Sequence, residues 1–290
     1  MRSLGIDIGV RKGLDLVVLD EDLVPAPSRV EVMIDGDGVS IPSLRPAIEE
    51  ASPDVVAIDS PPGWATRGRS RLTERELRRF GIQSYGTPTR DRGTHHQFYE
   101  WMRVGFETFR VADACGYPRY GRERTRGTAI EVFPHATAVV LAGCLPPSGS
   151  SKRAWRAAVL ERAGVAVGGL RSQDQVDATL AALTGLYASA GRVTALGDTT
   201  EGVIVLPTRR LPASAFPRCT TPPTVDPQRR LPGMTPCACG DPGCARLTAR
   251  KFAPGHDAKR KSALWRAARQ GHDAVDELRR RGWELPPEMR

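Results

Sequence analysis

The sequence predicts an α/β domain over residues 1–206, then a proline-rich linker over 207–236 and a small helical Cys/His module over 237–290. Three observations predict it. Short apolar strands alternate with helix-period segments as far as Leu206. Eight prolines with little periodicity occupy 207–236. Cys237, Cys239 and Cys244 then cluster ahead of two basic segments. A length of 290 residues suits one medium domain plus a small module.

Residues 3–9 alternate, with Leu4, Ile6 and Ile8 on one face and Gly5, Asp7 and Gly9 on the other, which is a strand. Residues 13–20 read as its hairpin partner and 28–34 as a third strand. Residues 43–51 read as a helix. Residues 54–59 form a continuous apolar strand ending in Asp59, stopped by Ser60-Pro61-Pro62-Gly63. Residues 73–80 and 97–115 read as helices, and 128–133 as a strand halted by Pro134. Amphipathic helices are expected over 152–163 and 173–190, and a last short strand over 202–206. In the module, 258–270 and 273–281 read as two short helices. No internal repeat is evident.

Hydrophobic residues make up 40% of the chain, enough for an ordinary core. No apolar run approaches the roughly 20 residues that span a bilayer. Asp7 interrupts the first apolar run, which does not suit a secretory signal, so a cytoplasmic location and no membrane partner are expected. Cys115 and Cys144 are expected to pack as small apolar groups. The net charge of +9 is uneven: residues 1–206 balance 25 Lys+Arg against 25 Asp+Glu, and 207–290 carry 17 against 8. Long-range attraction to a polyanion would therefore come mostly from the C-terminal part. Arginine far outnumbers lysine, a bias that a GC-rich genome also produces.

Five acids fall where strands end or where a helix faces a sheet. Asp7 lies between glycines that allow a substrate backbone to approach. Asp59 ends a buried strand, Glu131 sits between Ile130 and Val132, and Asp174 and Asp177 share one helix face. A single such acid is usually a turn former or helix cap. Together they repel one another unless a cation such as Mg²⁺ or Mn²⁺ neutralises them. Two ions about 4 Å apart would activate water and stabilise the leaving oxygen in phosphodiester cleavage.

Gly5-Ile6-Asp7-Ile8-Gly9, Ala57-Ile58-Asp59-Ser60-Pro61-Pro62-Gly63, Glu131-Val132-Phe133-Pro134-His135-Ala136 and Asp174-Gln175-Val176-Asp177-Ala178 follow in this order. So do 71–82, 152–160, Gly197-Asp198 and Glu201-Gly202-Val203-Ile204. The ordered set, over about residues 1–207, resembles domain-of-unknown-function family 429, described as predicted nucleases of the ribonuclease H-like superfamily. The resemblance implies a five-stranded mixed sheet with the first strand in the middle and helices on both faces. It also implies that Asp7, Asp59, Glu131 and Asp177 bind metal, with Asp7, Asp59 and Asp177 foremost. The Asp174/Asp177 pair looks like the last-helix acids of Holliday-junction resolvases in that superfamily.

Residues 67–92 carry eight arginines against three acids and follow the Asp59 turn. Arg71, Arg75 and Arg78 there, with Lys152, are candidates for gripping substrate phosphate. A solvated helix and loop is the alternative. A second basic patch runs over 119–126. His95 and His96 suit a proton carrier or a helix cap, and His135 a site residue or a helix start. In the module, Cys237, Cys239, Cys244 and His256 would complete a closed tetrahedral zinc site, with His272 a competing ligand and free thiols the alternative. Its helices, with Lys259, Arg260, Lys261, Arg266, Arg269 and Trp265, suit a phosphate backbone.

The reading is thus a metal-dependent nuclease acting on DNA or RNA. The rivals are a phosphotransferase of the actin-like ATPase class, whose opening Gly5-Ile6-Asp7-Ile8-Gly9 also resembles, and a non-catalytic nucleic-acid-binding protein.

Overall fold

The computed structural model describes residues 1–36, 38–220, 235–236, 247–248, 261, 264–268, 274–280, 283 and 285. The chain divides into two compact units, Met1–Pro232 and Gly233–Arg290.

The first unit opens with an antiparallel meander, β1 (Arg2–Asp7), β2 (Leu14–Asp20) and β3 (Ala26–Val30). A separate small hairpin, β4 (Met33–Asp35) and β5 (Gly38–Ser40), follows. The stretch expected as one third strand is thus divided between β3 and β4. Helix α1 (Leu44–Ala51) leads to β6 (Val55–Asp59), which lies parallel to β1. Helices α2 (Leu72–Arg79), α3 (Arg90–Gly93) and α4 (Glu100–Ala114) precede β7 (Thr128–Glu131), parallel to β6. Then come α5 (Pro134–Ala142), α6 (Lys152–Arg162), α7 (Gln173–Ser189), β8 (Thr194–Asp198) and β9 (Gly202–Leu206).

The sheet order is β3-β2-β1-β6-β7-β9-β8. Its first five strands, centred on β1, are the mixed ribonuclease H-like arrangement. The expected five strands are seven, because β9 joins β7 in parallel and β8 turns back beside it. Strand alternation sorts the core. Leu4, Ile6, Val56 and Ile58 pack with Ile48 of α1 and Val104, Phe109 and Ala112 of α4. Val55, Ala57 and Ile130 pack on the other face with Ala181 and Ala188 of α7.

Helix α7 is not amphipathic, as its sequence suggested: every residue from Val176 to Ser189 is buried. It lies against β1, β2 and β6 with α5 and α6 on its other side. A Cβ built on Gly5 would fall 2.0 Å from the Ala178 carbonyl oxygen and 2.4 Å from the Ala182 nitrogen. Gly5 therefore makes room for the helix backbone, and Gly9 for the Gly13 carbonyl, rather than for a substrate.

Residues 207–219, read as the start of a linker, pack onto the first unit. Phe216 and Cys219 are buried, and the Phe216 N–H donates to the Phe80 carbonyl. Cys219 forms a disulfide with Cys144, so Cys144 is not the isolated thiol expected. Two apolar side chains and a covalent link outweigh the prolines here. In the second unit, short antiparallel strands β10 (Thr235–Pro236) and β11 (Leu247–Thr248) pair. Residues 264–268 and Ala274–Arg280 are helical, and Leu264, Ala268, Ala274 and Leu278 form a small apolar cluster. The Lys261 ammonium lies 5.3 Å from the centre of the Trp265 ring. Among the described residues, no helix is long and apolar enough to cross a membrane.

Candidate active site

Asp7 and Asp59 end adjoining parallel strands and pair in register. Asp7 has the parity of Gly5 and Asp59 that of Val55 and Ala57, so both face α7. At that spacing the two carboxyls are neighbours, and a proton shared between them would relieve their repulsion. Burial, then Asp59, then Asp177 and Asp174, hold the Asp7 carboxyl well above the ordinary carboxylate range. Burial and then Asp177 push Asp59 up to about 8, against the pull of Arg156 and of the hydrogen bond from Asp7.

Asp177 sits beside this pair, in the second turn of α7, but is neutralised. Arg156 of α6 places its Nη1 2.5 and 2.6 Å from the two Asp177 oxygens, and Gln173 donates to Asp177 at 2.7 Å. Burial still raises the Asp177 carboxyl, while Arg156 and Gln173 oppose the rise. Asp174 is partly exposed and lies 3.5 Å from the Lys12 ammonium.

Glu131 lines the same cavity as Asp7 and Asp59 and adds to the rise of the Asp59 carboxyl, but an arginine holds it. In β7, Ile130 faces α7, so its neighbour Glu131 points to the opposite face. There Arg71 meets it with Nη1 at 2.8 Å and Nη2 at 2.5 Å. Arg71 also donates through Nε to Glu74 at 3.0 Å and through Nη1 to the Glu201 carbonyl at 3.2 Å. It is 1% exposed, so it cannot grip substrate phosphate as expected. Burial disfavours its charge, but Glu131 and Glu74 outweigh that and strengthen its hold on the proton. Two buried carboxylates in a small domain need a fixed internal cation, and Arg71 is it.

Arg75 and Arg78 are exposed on α2, and Lys152 is exposed at the start of α6. Arg119, Arg122 and Arg126 of the second basic patch donate to backbone carbonyls of Thr199, of Ala195 and Gly197, and of Ser189. His96 caps the turn Gln97–Tyr99 by accepting from the Phe98 N–H at 3.2 Å. His135 packs between Phe133 and Trp155, and burial, then Arg156 and Lys152, push it down to about 4. The proposed zinc ligands Cys237, Cys239, Cys244 and His256 lie outside the described residues.

A cavity of about 230 Å³ opens beside Asp7 and Asp59. Trp101 and Met102 of α4, with Tyr85, Phe133 and Val132, give it mainly apolar walls. The sequence pointed to none of these. Arg156 was more legible: it stands four residues after Lys152, on the same helix face.

Oxygen ligands that repel one another in a buried setting suit a hard divalent cation, and Asp7 and Asp59 meet that description. Asp177 meets it only on leaving Arg156. Among the described residues, no three His, Cys, Asp or Glu side chains are grouped to hold one ion.

The fold and site define a ribonuclease H-like α/β protein with a buried acidic pair at its central strand ends. Residues 5–201 match the family described as "Protein of unknown function (DUF429)", and the chain belongs to that family. No curated protein matches it in sequence. Among solved structures, that of Thermus thermophilus RuvC is similar at 17% identity, over 66% of this chain and 97% of that one, with a TM-score of 0.32. At that score the likeness carries no functional conclusion.

Proposed function

We propose that the protein is a metal-dependent nuclease that hydrolyses phosphodiester bonds of DNA or RNA. The observation that supports this best is the in-register placement of Asp7 and Asp59 at the ends of adjoining parallel strands, where burial raises both carboxyls. Such a pair exchanges its shared proton for Mg²⁺ or Mn²⁺. A bound divalent ion supplies Lewis-acid polarisation of a phosphoryl oxygen and lowers the pKa of water. Asp7 and Asp59 would hold it, Asp177 would join on release from Arg156, and Asp174 would add negative potential. A second ion would need Asp177 or Glu131 freed from its arginine. Arg75, Arg78 and Lys152 are the exposed cations proposed to meet substrate.

Titration calorimetry with Mn²⁺ tests the site, and cleavage of mixed single- and double-stranded substrates tests the activity. Asp7→Asn should abolish both while the chain stays folded. Mn²⁺ binding unaffected by Asp7→Asn would overturn the reading. The two arginine-neutralised acids favour one rival, a non-catalytic nucleic-acid-binding protein. Substrate binding with no cleavage in either metal would select it.

For the C-terminal part we propose one structural zinc on Cys237, Cys239, Cys244 and His256, within a basic module that adds affinity for nucleic acid. Metal analysis of the purified chain should give about one zinc, lowered by Cys239→Ser and by His256→Ala. Truncation near residue 220, keeping the Cys144–Cys219 link, should weaken nucleic-acid binding and flatten its salt dependence.

A further inference from the structure

We propose that the cavity beside Asp7 and Asp59 receives one unpaired nucleobase, so the substrate is a single-stranded or locally unpaired nucleic acid. The inference rests on the nuclease reading for the substrate class and adds which form of nucleic acid fits.

The first argument is size and lining. At about 230 Å³ the cavity falls short of the roughly 300–1,000 Å³ of drug-sized sites. It suits a single flat ring system rather than a whole nucleotide. Trp101, Phe133 and Tyr85 offer aromatic surface and Met102 and Val132 apolar wall, while Asp7, Asp59 and the Arg71–Glu131 pair line the rest with polar groups able to meet a base edge.

The second argument is an unmet hydrogen bond. Ser84 lines this cavity, and its Oγ is buried with no hydrogen-bond partner among the described residues. A buried hydroxyl left unpaired is costly, and such groups are rare. A base edge, which carries both donors and acceptors, would satisfy it whichever way the hydroxyl proton turns.

The third argument lies at the surface. Tyr85 is 68% exposed and Phe98 46% exposed, and the two rings meet edge to face at 5.2 Å. Tyr99, half-buried, backs the pair 5.0 Å from Phe98. Exposed rings in a row form a platform on which successive bases stack without sequence preference. Arg67 and Arg69 are exposed on the neighbouring loop, whose Arg69 carbonyl abuts Gly86, and Arg90 and Arg92 are exposed on α3. Positive charge beside aromatic surface is the pairing a single strand requires: backbone phosphates on the arginines, bases on the rings. A duplex hides its base faces and meets neither the cavity nor the platform. Phosphodiester cleavage itself does not call for an unstacked base, so the cavity serves selection rather than chemistry.

The test uses the full chain in EDTA, which prevents metal-dependent cleavage, and follows fluorescence anisotropy at fixed salt. The probes are a 12-nucleotide single strand in DNA and RNA versions, the matching DNA duplex, and that duplex carrying one unpaired nucleotide. The single strands and the bulged duplex should bind at least about 10-fold more tightly than the perfect duplex. Ser84→Ala should weaken single-strand binding about 5-fold, and the exposed pair Tyr85→Ala/Phe98→Ala about 10-fold. Neither should change duplex binding or lower thermal stability, and Ser84→Ala should raise it, since the unpaired hydroxyl is gone. A preference in either sugar supports the inference. Equal binding of duplex and single strand, or variants without effect, would overturn it. The two readings fail separately. A single-strand preference without cleavage in Mg²⁺ or Mn²⁺ removes the nuclease and keeps the base cavity, and cleavage without the preference does the reverse.

Discussion

Arg156 of α6 holds both carboxylate oxygens of Asp177 on α7, within 2.6 Å, beside the Asp7–Asp59 pair. The arginine thus stands where a divalent cation would draw on the same carboxylate. Replacing it by alanine should leave a nearly buried anion unpaired and lower metal-free stability by about 3 kcal/mol. Mn²⁺ should then stabilise Arg156→Ala more than it stabilises the parent protein, because Asp177 becomes available as a ligand. Thermal melts with and without Mn²⁺ read both effects. An equal Mn²⁺ shift in the two proteins would show that Asp177 never reaches the ion.

Arg71 and Glu131 separate structure from site. Arg71→Met should leave Glu131 and Glu74 as buried, uncompensated carboxylates and cost about 3–5 kcal/mol in urea unfolding. Glu131→Gln should cost less, because an amide oxygen still accepts from the guanidinium. It should leave Mn²⁺ affinity unchanged, since the Arg71 guanidinium already occupies both Glu131 oxygens. Loss of Mn²⁺ binding in Glu131→Gln would place Glu131 among the ligands after all.

Asp59 gives the metal-free protein a distinctive pH dependence. Its carboxyl is raised from 3.8 to about 8, so the folded state holds a proton that the unfolded chain has released. The associated stability is full below about 4 and is lost as pH rises through about 8. In EDTA the melting temperature should therefore fall between those limits, and Asp59→Asn should flatten the fall. Mn²⁺ affinity should rise over the same window, because the ion must displace that proton.

His135 runs the other way. Its folded value lies near 4, against 6.5 for an ordinary imidazole. Stability linked to it is present above 6.5 and is lost as pH drops from 6.5 toward 4. An NMR titration of the ring should show a midpoint near 4, and His135→Gln should remove that acid-side loss. A midpoint near 6.5 would return His135 to the list of proton carriers at neutral pH.

The Cys144–Cys219 link closes a 75-residue separation. Disulfides persist in oxidising surroundings, whereas a cytoplasmic location was expected from the N-terminus. Differential alkylation of freshly lysed cells, followed by mass spectrometry, reads the state of the two thiols. Where the link is formed, Cys144→Ser should lower stability by about 2–4 kcal/mol.

Much of this was legible in the chain. Strand periodicity located β1, β2, β6 and β9, and placed Asp7 and Asp59 at strand ends. Pairings remote in sequence were not legible. Arg71 looked like surface charge because its partner Glu131 is 60 residues away. Glu131 looked like a ligand because its facing depends on the register of β7, which the strand's own sequence does not state. Helix α5 was missed because Pro134 was taken as the end of a strand, while proline at the first helical position also begins a helix. Helix α7 was judged amphipathic because its first turn is polar; its burial comes from α5 and α6 packing behind it.

The contact at Gly5 has a bearing on how such a site tolerates change. Backbone rests on backbone there, so the offset between β1 and α7 is set by main-chain thickness rather than by the size of any side chain. Ordinary drift in the surrounding core, one aliphatic residue for another, leaves that offset alone. A single methyl at residue 5 would instead act as a shim, lifting the helix and carrying Asp177 away from Asp7 without altering either carboxylate.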